Sequence, residues 1–177
     1  MRLFVGIKTG CENHLVSLQN ELKKIGKGHF TQKNNLHITL KFLGEVPSFK
    51  LKSITEAISE PKDNPFLLEC QGVSIFNKNG IISVKVAGEL GKLTTLYSTL
   101  EIALEKRGFE KEKREFRPHI TLARNFRITD GCNVETIPYR CYGFKVEELI
   151  LFESRRDAGK LVYAPLFIHK LAEQKNK

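Results

Sequence analysis

The chain has 177 residues, of which 41% are hydrophobic and 28% charged, with a formal net charge of +9 and a pI near 9.4. That balance fits an ordinary globule with a real core and excludes a chain too polar to fold. The excess of lysine and arginine favours polyanionic partners such as nucleic acid, although it also serves plain solubility.

Residues 2–8 read as an opening strand, and their apolar run is too short for a signal peptide or a membrane span. Leu15, Leu18, Leu22 and Ile25 recur at helical spacing over 12–25, and Gly26 and Gly28 are expected to end that helix. A short strand is expected from Phe30, a turn at Asn34-Asn35, and a strand over 36–43. Pro47 precedes a helix whose buried face is Leu51, Ile54, Thr55 and Ile58, and Pro61 and Pro65 bound a loop. Two β-rich runs, 66–76 and 81–87, flank Asn77-Lys78-Asn79-Gly80, a hairpin signal. Gly88 and Gly91 frame a loop before a helix marked by Leu93, Leu96, Tyr97, Leu100 and Leu104, which ends near Gly108. The charged run 110–115 reads as a solvated turn, 116–123 as a strand, and 127–138 as irregular. Strands over 146–153 and 161–168 close the chain as a hairpin around Asp157-Ala158-Gly159, and the tail 173–177 is expected to fray. Strand, helix and motif strand recur in each half, which points to an internal duplication. Short hairpin links favour antiparallel sheets, hence an α+β fold.

The tetrapeptide His-Ile-Thr-Leu occurs twice, at His37 to Leu40 and at His119 to Leu122, and takes up two of only five histidines. On a strand its period of two sends His and Thr to one face and Ile and Leu to the other. A pair of ordinary half-buried strands would show the same alternation. Two imidazoles flanking one phosphorus, however, suit phosphodiester transfer, in which one activates a nucleophile and the other protonates the leaving oxygen. Thr39 and Thr121 supply hydroxyls for the non-bridging oxygens, and Arg124 a fixed cation. Arg124 and Phe42 each lie five residues after a motif histidine, so an unbroken strand would put them on the wrong face. The strands must bend or bulge near Ala123 and Lys41 for these side chains to reach the histidines.

The segments 36–44 (Leu-His-Ile-Thr-Leu-Lys-Phe-Leu-Gly) and 117–124 (Arg-Pro-His-Ile-Thr-Leu-Ala-Arg) resemble the paired motifs of the 2H phosphoesterase superfamily. Within it the chain is most similar to the RNA 2′,3′-cyclic phosphodiesterases, also known as 2′-5′ RNA ligases. The resemblance takes in the opening residues 2–7 and the closing 151–154 with Gly159, Tyr163 and Leu166. It implies one bilobal domain over 1–177, with two mostly antiparallel sheets flanked by helices around a central cleft. It implies a phosphate site of His37, Thr39, His119 and Thr121, with Arg124 as the phosphate-binding arginine and Phe42 as the aromatic stacked on the nucleobase. His119 is the implied base that activates water, and His37 the implied acid that protonates the 3′ oxygen. The implied reaction is hydrolysis of RNA 2′,3′-cyclic phosphate ends to 2′-phosphomonoesters, with no metal and no cofactor. The implied enzyme is a cytoplasmic monomer acting on RNA and on no membrane. Members often carry a tryptophan shortly before the first motif; this chain has none, and Phe30 is the candidate in its place.

Three rivals stand beside this reading. Reversible 2′-5′ ligation, or hydrolysis of 2′-5′ linkages, would use the same site. A non-catalytic RNA-binding module would use only the basic face, and has no need of a matched acid and base. A metal hydrolase would need Asp or Glu at ligand spacing beside the motifs, and none is there. Cys11, Cys70, Cys132 and Cys141 form no C-x-x-C pair and are read as reduced thiols of a cytoplasmic protein. Of the other histidines, His14 is read as solvated, His29 as a loop residue and His169 as exposed.

Overall fold

The computed structural model describes residues 1–75 and 80–171. The turn expected at Asn77-Lys78-Asn79 and the tail 173–177 lie outside the described residues. The elements run β1 (Arg2–Lys8), α1 (Glu12–Ile25), β2 (Gly26–Phe30), β3 (His37–Glu45), α2 (Leu51–Ile58), β4 (Phe66–Ile75) and β5 (Ile82–Gly88). They continue with α3 (Leu90–Glu105), β6 (His119–Ile128), β7 (Tyr142–Val146), β8 (Glu148–Asp157) and β9 (Lys160–Lys170).

The strands follow the order β7-β4-β5-β6-β3-β1-β8-β9, with β2 on the later part of β6, and every pairing is antiparallel. From the middle outward, each side repeats motif strand, opening strand and two flanking strands: β6-β5-β4-β7 and β3-β1-β8-β9. The two sides meet at the single pair Ile38–Ile120. The two expected sheets are therefore one curled sheet joined along a narrow seam. Ile38 and Ile120 are both fully buried there, each contributing about 1.5–3 kcal/mol of apolar burial. Helices α1, α2 and α3 turn Leu15, Leu18, Leu22, Ile54, Ile58, Leu93, Leu96 and Leu100 into the same core.

Both motif strands carry the same irregularity at the same residue. On β3, Lys41 pairs with Val5 and Thr39 with Gly6, which leaves Leu40 as the extra residue of a bulge. On β6, Ala123 pairs with Ile82 and Thr121 with Ser83, which leaves Leu122 as its counterpart. Each bulge places two successive side chains in the core, Leu40 with Lys41 and Leu122 with Ala123. The next residue then returns to the opposite face. Phe42 and Arg124 thereby join the histidine face, as the spacing required.

Several boundaries differ from the sequence reading. Gly26 ends α1 as expected, and Gly26 and Gly28 pass directly into β2, where a Cβ on Gly28 would come within 2.9 Å of the Phe126 Cα. Glycine lets β2 approach β6 closely. Strand β6 starts at His119 rather than 116, directly after Pro118, which has no N–H to give the ladder. It runs on to Ile128, into the stretch expected to be irregular. The strand expected over 146–153 is β8, which runs on to Asp157, and the sequence reading missed β7 before it, a strand too short for its alternation to show. Gly91 sits in the first turn of α3 rather than in a loop.

Candidate active site

The motif face of β3 and β6 opens into a cleft of about 90 Å³ lined by Thr31, Asn35, His37, Thr39, Phe42, His119, Thr121, Arg124 and Tyr163. All six residues singled out from the sequence converge there. The lining includes no carboxylate, so nothing in it repels an anion. Among the described residues, no three His, Cys, Asp or Glu side chains cluster as metal ligands.

The two imidazoles are held in the same way. His37 Nδ1 donates to the Asn35 carbonyl at 2.6 Å, and His119 Nδ1 donates to the Arg117 carbonyl at 2.8 Å. In each case the acceptor lies two residues earlier in its own motif. A carbonyl can only accept, so Nδ1 carries the hydrogen and Nε2 of the neutral ring is left with the lone pair. In His37 that Nε2 accepts from the Thr39 hydroxyl at 2.8 Å.

The surroundings of His37 are largely aromatic. His37 packs between Phe4, at 4.8 Å between centroids, and Tyr163, edge-on at 5.1 Å, with Phe152 behind at 6.1 Å. Burial pushes its pKa below the ordinary value of 6.5, and the positive charge of Arg124 and His119 adds to the shift. The Asn35 carbonyl opposes that shift, because it favours a protonated ring. His37 is therefore neutral at pH 7 in the free protein. Arg124, exposed at the cleft, makes no ion pair among the described residues.

Three residues that support the site were not visible in the sequence. Asn35, read there only as part of a turn, is buried; its Nδ2 donates to the Leu161 carbonyl at 2.8 Å, and its Oδ1 accepts from the Tyr163 N–H at 3.1 Å. It ties β9 to the first motif and so brings Tyr163 to His37. Gln19 on α1 donates to the carbonyls of Thr31 at 2.7 Å and Leu122 at 2.9 Å, bracing the second bulge. Glu101 on α3 meets Lys41 at 2.9 Å, and that Nζ also reaches the Glu110 carbonyl at 2.6 Å. The bulge turns Lys41 inward, where only a paired carboxylate makes its charge tolerable. The run 110–115 is thus tied to the core at Glu110 and at Glu112, whose N–H donates to Glu101, rather than merely solvated.

Other expectations are corrected. Phe30 does not line the cleft; it packs on the core edge-on to Phe126, and its neighbour Thr31 faces the site instead. His29 lies on β2 opposite Arg124, not in a loop. His14 is half-buried and stacks on Tyr142 at 5.2 Å, and His169 donates from Nε2 to the Pro61 carbonyl at 3.0 Å. All four cysteines are free thiols.

Comparison with known proteins bears on this arrangement. The profile of the LigT like Phosphoesterase family matches residues 5–83 and again 84–163, each match opening inside the strand that precedes a helix, β1 and β5. The chain belongs to the LigT-like phosphoesterase family. As a LigT-like phosphoesterase of the 2H superfamily it supplies one histidine from each matched copy. It is 36% identical over 128 residues to the RNA 2′,3′-cyclic phosphodiesterase of Archaeoglobus fulgidus, covering 70% of this chain and 72% of that one. Against the protein of the same name from Methanocaldococcus jannaschii the identity is 32% over 127 residues, covering 70% and 71%. The fold superposes on crystalline Escherichia coli LigT complexed with 3′-AMP with a TM-score of 0.82 over 97% of this chain and 98% of that chain, at 23% identity. A crystal structure from Thermus thermophilus gives 0.79 over the same shares at 25% identity. No described helix of this LigT-like phosphoesterase is long and apolar enough to cross a membrane.

Proposed function

We propose that the chain hydrolyses RNA 2′,3′-cyclic phosphate ends to 2′-phosphomonoesters without a metal ion. The observation that carries this reading is the meeting of two imidazoles, two threonines and Arg124 in one cleft free of carboxylates. The RNA 2′,3′-cyclic phosphodiesterases among the relatives support it. His119 Nε2 takes a proton from water as the water oxygen bonds to phosphorus, and the bond from phosphorus to the 3′ oxygen breaks. His37 Nε2 delivers a proton to that oxygen. The products are a 2′-phosphate and a 3′-hydroxyl. Thr39, Thr121 and Arg124 hold the non-bridging oxygens, where charge accumulates. His37 takes up its proton with the substrate, because the bound phosphate's negative charge offsets the burial and the neighbouring cations. A ring whose burial disfavours the charged form then gives that proton up readily. Phe42, 60% exposed, offers its ring to the nucleobase. A 5′-hydroxyl in place of water would form a 2′-5′ linkage with the same residues.

The proposed enzyme is a monomer, for which one chain supplying both histidines is sufficient, and a single bilobal domain over 1–177, and its free thiols suit the cytoplasm. The test is to incubate the protein with a nucleoside 2′,3′-cyclic phosphate in excess chelator and to separate the products by chromatography. The 2′-phosphate is expected. The 3′-phosphate isomer, or turnover only after a metal is restored, overturns the reading.

A further inference from the structure

The cleft that holds the histidines has a volume of about 90 Å³, well below the roughly 300–1,000 Å³ typical of ligand sites. It is too small to take more than the end of an RNA, so the remaining strand must lie outside it. Phe42 lines this cleft and also a second groove of about 780 Å³, within the roughly 300–1,000 Å³ typical of ligand sites. The groove runs between the end of β3 with its following turn, up to Lys50, and residues 108–114.

Its charge leans to one side. Of its carboxylates, Glu45 faces the terminal amine at 3.5 Å and Glu112 faces Arg114 at 3.2 Å. Lys41 is taken by Glu101. What remains is the carboxylate of Glu110 against three lysines, Lys50, Lys111 and Lys113, which form no ion pair among the described residues. Lys111 and Lys113 are exposed. Lys50 Nζ stands 5.2 Å above the ring of Phe109. Lysines interleaved with aromatic faces make up a groove that follows a single-stranded backbone while bases stack.

We infer that this groove carries the RNA strand leading to the cyclic phosphate, with Phe42 at the junction between the terminal nucleotide and those on its 5′ side. The inference rests on the phosphodiesterase reading, which puts the cyclic end among the histidines. It makes the enzyme a reader of RNA ends that turns over mononucleotides less efficiently.

The test uses the variant Lys111→Glu/Lys113→Glu and two substrates, a nucleoside 2′,3′-cyclic phosphate and a short oligoribonucleotide with a cyclic phosphate end. For the oligonucleotide, kcat/KM should fall about tenfold or more, and the log–log salt slope of its binding should become shallower by about 1.4, at about 0.7 per lost single-strand contact. The mononucleotide should change less than about twofold, since it touches neither lysine. No effect on the oligonucleotide, or equal losses on both substrates, overturns the groove assignment. If the wild type turns over neither substrate, the phosphodiesterase reading fails by itself. The groove is then judged by fluorescence anisotropy with the same RNA bearing a 3′-hydroxyl: weaker binding by the variant supports it, and unchanged binding overturns it. Displacement of that RNA by polyglutamate as readily as by polyuridylate would show a general anion surface and also overturn it.

Discussion

The backbone of Gly6 lies directly against the imidazole of His37: a Cβ built on Gly6 would stand 3.3 Å from His37 Cδ2 and 2.8 Å from the Ile38 carbonyl oxygen. The ring is thus seated on a strand that leaves no room beneath it. Gly6→Ala should cost about 1–3 kcal/mol, the usual penalty of overpacking, and should also lower kcat, because in the proposed mechanism the ring it displaces delivers a proton to the leaving oxygen. Thermal unfolding and turnover of a cyclic mononucleotide check both. A variant of wild-type stability and rate would show that the contact relaxes freely.

His37→Ala and His119→Ala should each slow turnover about 10²–10⁴-fold and leave the fold intact, since both rings line a cleft rather than fill the core. The roles can be separated with a cyclic substrate carrying sulfur in place of the 3′ oxygen, which leaves as a thiolate and needs no proton. That substrate should restore His37→Ala to near the wild-type rate and leave His119→Ala slow. The opposite pattern would exchange acid and base.

Burial holds the His37 pKa below 6.5 in the folded protein. The unfolded chain therefore binds a proton that the folded chain refuses, and the stability difference is fully present above about pH 6.5. It is lost as pH falls through the folded value. Denaturant unfolding at pH 7.5 and at mildly acidic pH should show a larger loss for the wild type than for His37→Asn. Equal losses would mean that the ring is solvated.

The buried pair of Lys41 and Glu101 should behave asymmetrically. Glu101→Gln leaves the Lys41 ammonium without its counter-charge in the core and should cost about 3–5 kcal/mol. Lys41→Met with Glu101→Leu removes both charges and should recover most of that loss. The check is a pair of urea titrations. Equal costs for the single and double variants would show that the charge is not what matters.

Much of this site was legible because its signals are local. Two copies of His-Ile-Thr-Leu give the histidine face by alternation, and the five-residue offset of Phe42 and Arg124 required the bulges that occur at Leu40 and Leu122. The supports were not legible, because they satisfy backbone groups far away in the chain. Asn35 bonds the carbonyl of Leu161 and Gln19 that of Leu122; which carbonyl a bulge or a strand end leaves open is settled only by the assembled sheet. The same holds for His14 and His169, polar residues whose partners come from β7 and from the loop at Pro61. Glycine marked the end of α1 at Gly26 as expected, but that Gly26 and Gly28 also serve close approach of β2 to β6 was not legible.

The seam pairs Ile38 with Ile120, each the residue after its motif histidine. Joining a residue to its own counterpart in an antiparallel ladder is what a twofold axis does, and the seam is in that sense an isologous contact within one chain. A cyclic phosphodiester has no such axis, since one bond to phosphorus breaks and its partner survives. Two perfectly repeated halves would accept the phosphate in either of two opposed orientations and offer each imidazole both jobs. In the proposed reaction the departures from the repeat would remove that degeneracy. Five residues past the histidine, one half carries the ring of Phe42 and the other the guanidinium of Arg124. His37 is walled by Phe4, Phe152 and Tyr163. In the proposed reaction, direction would come from where the two copies have ceased to match.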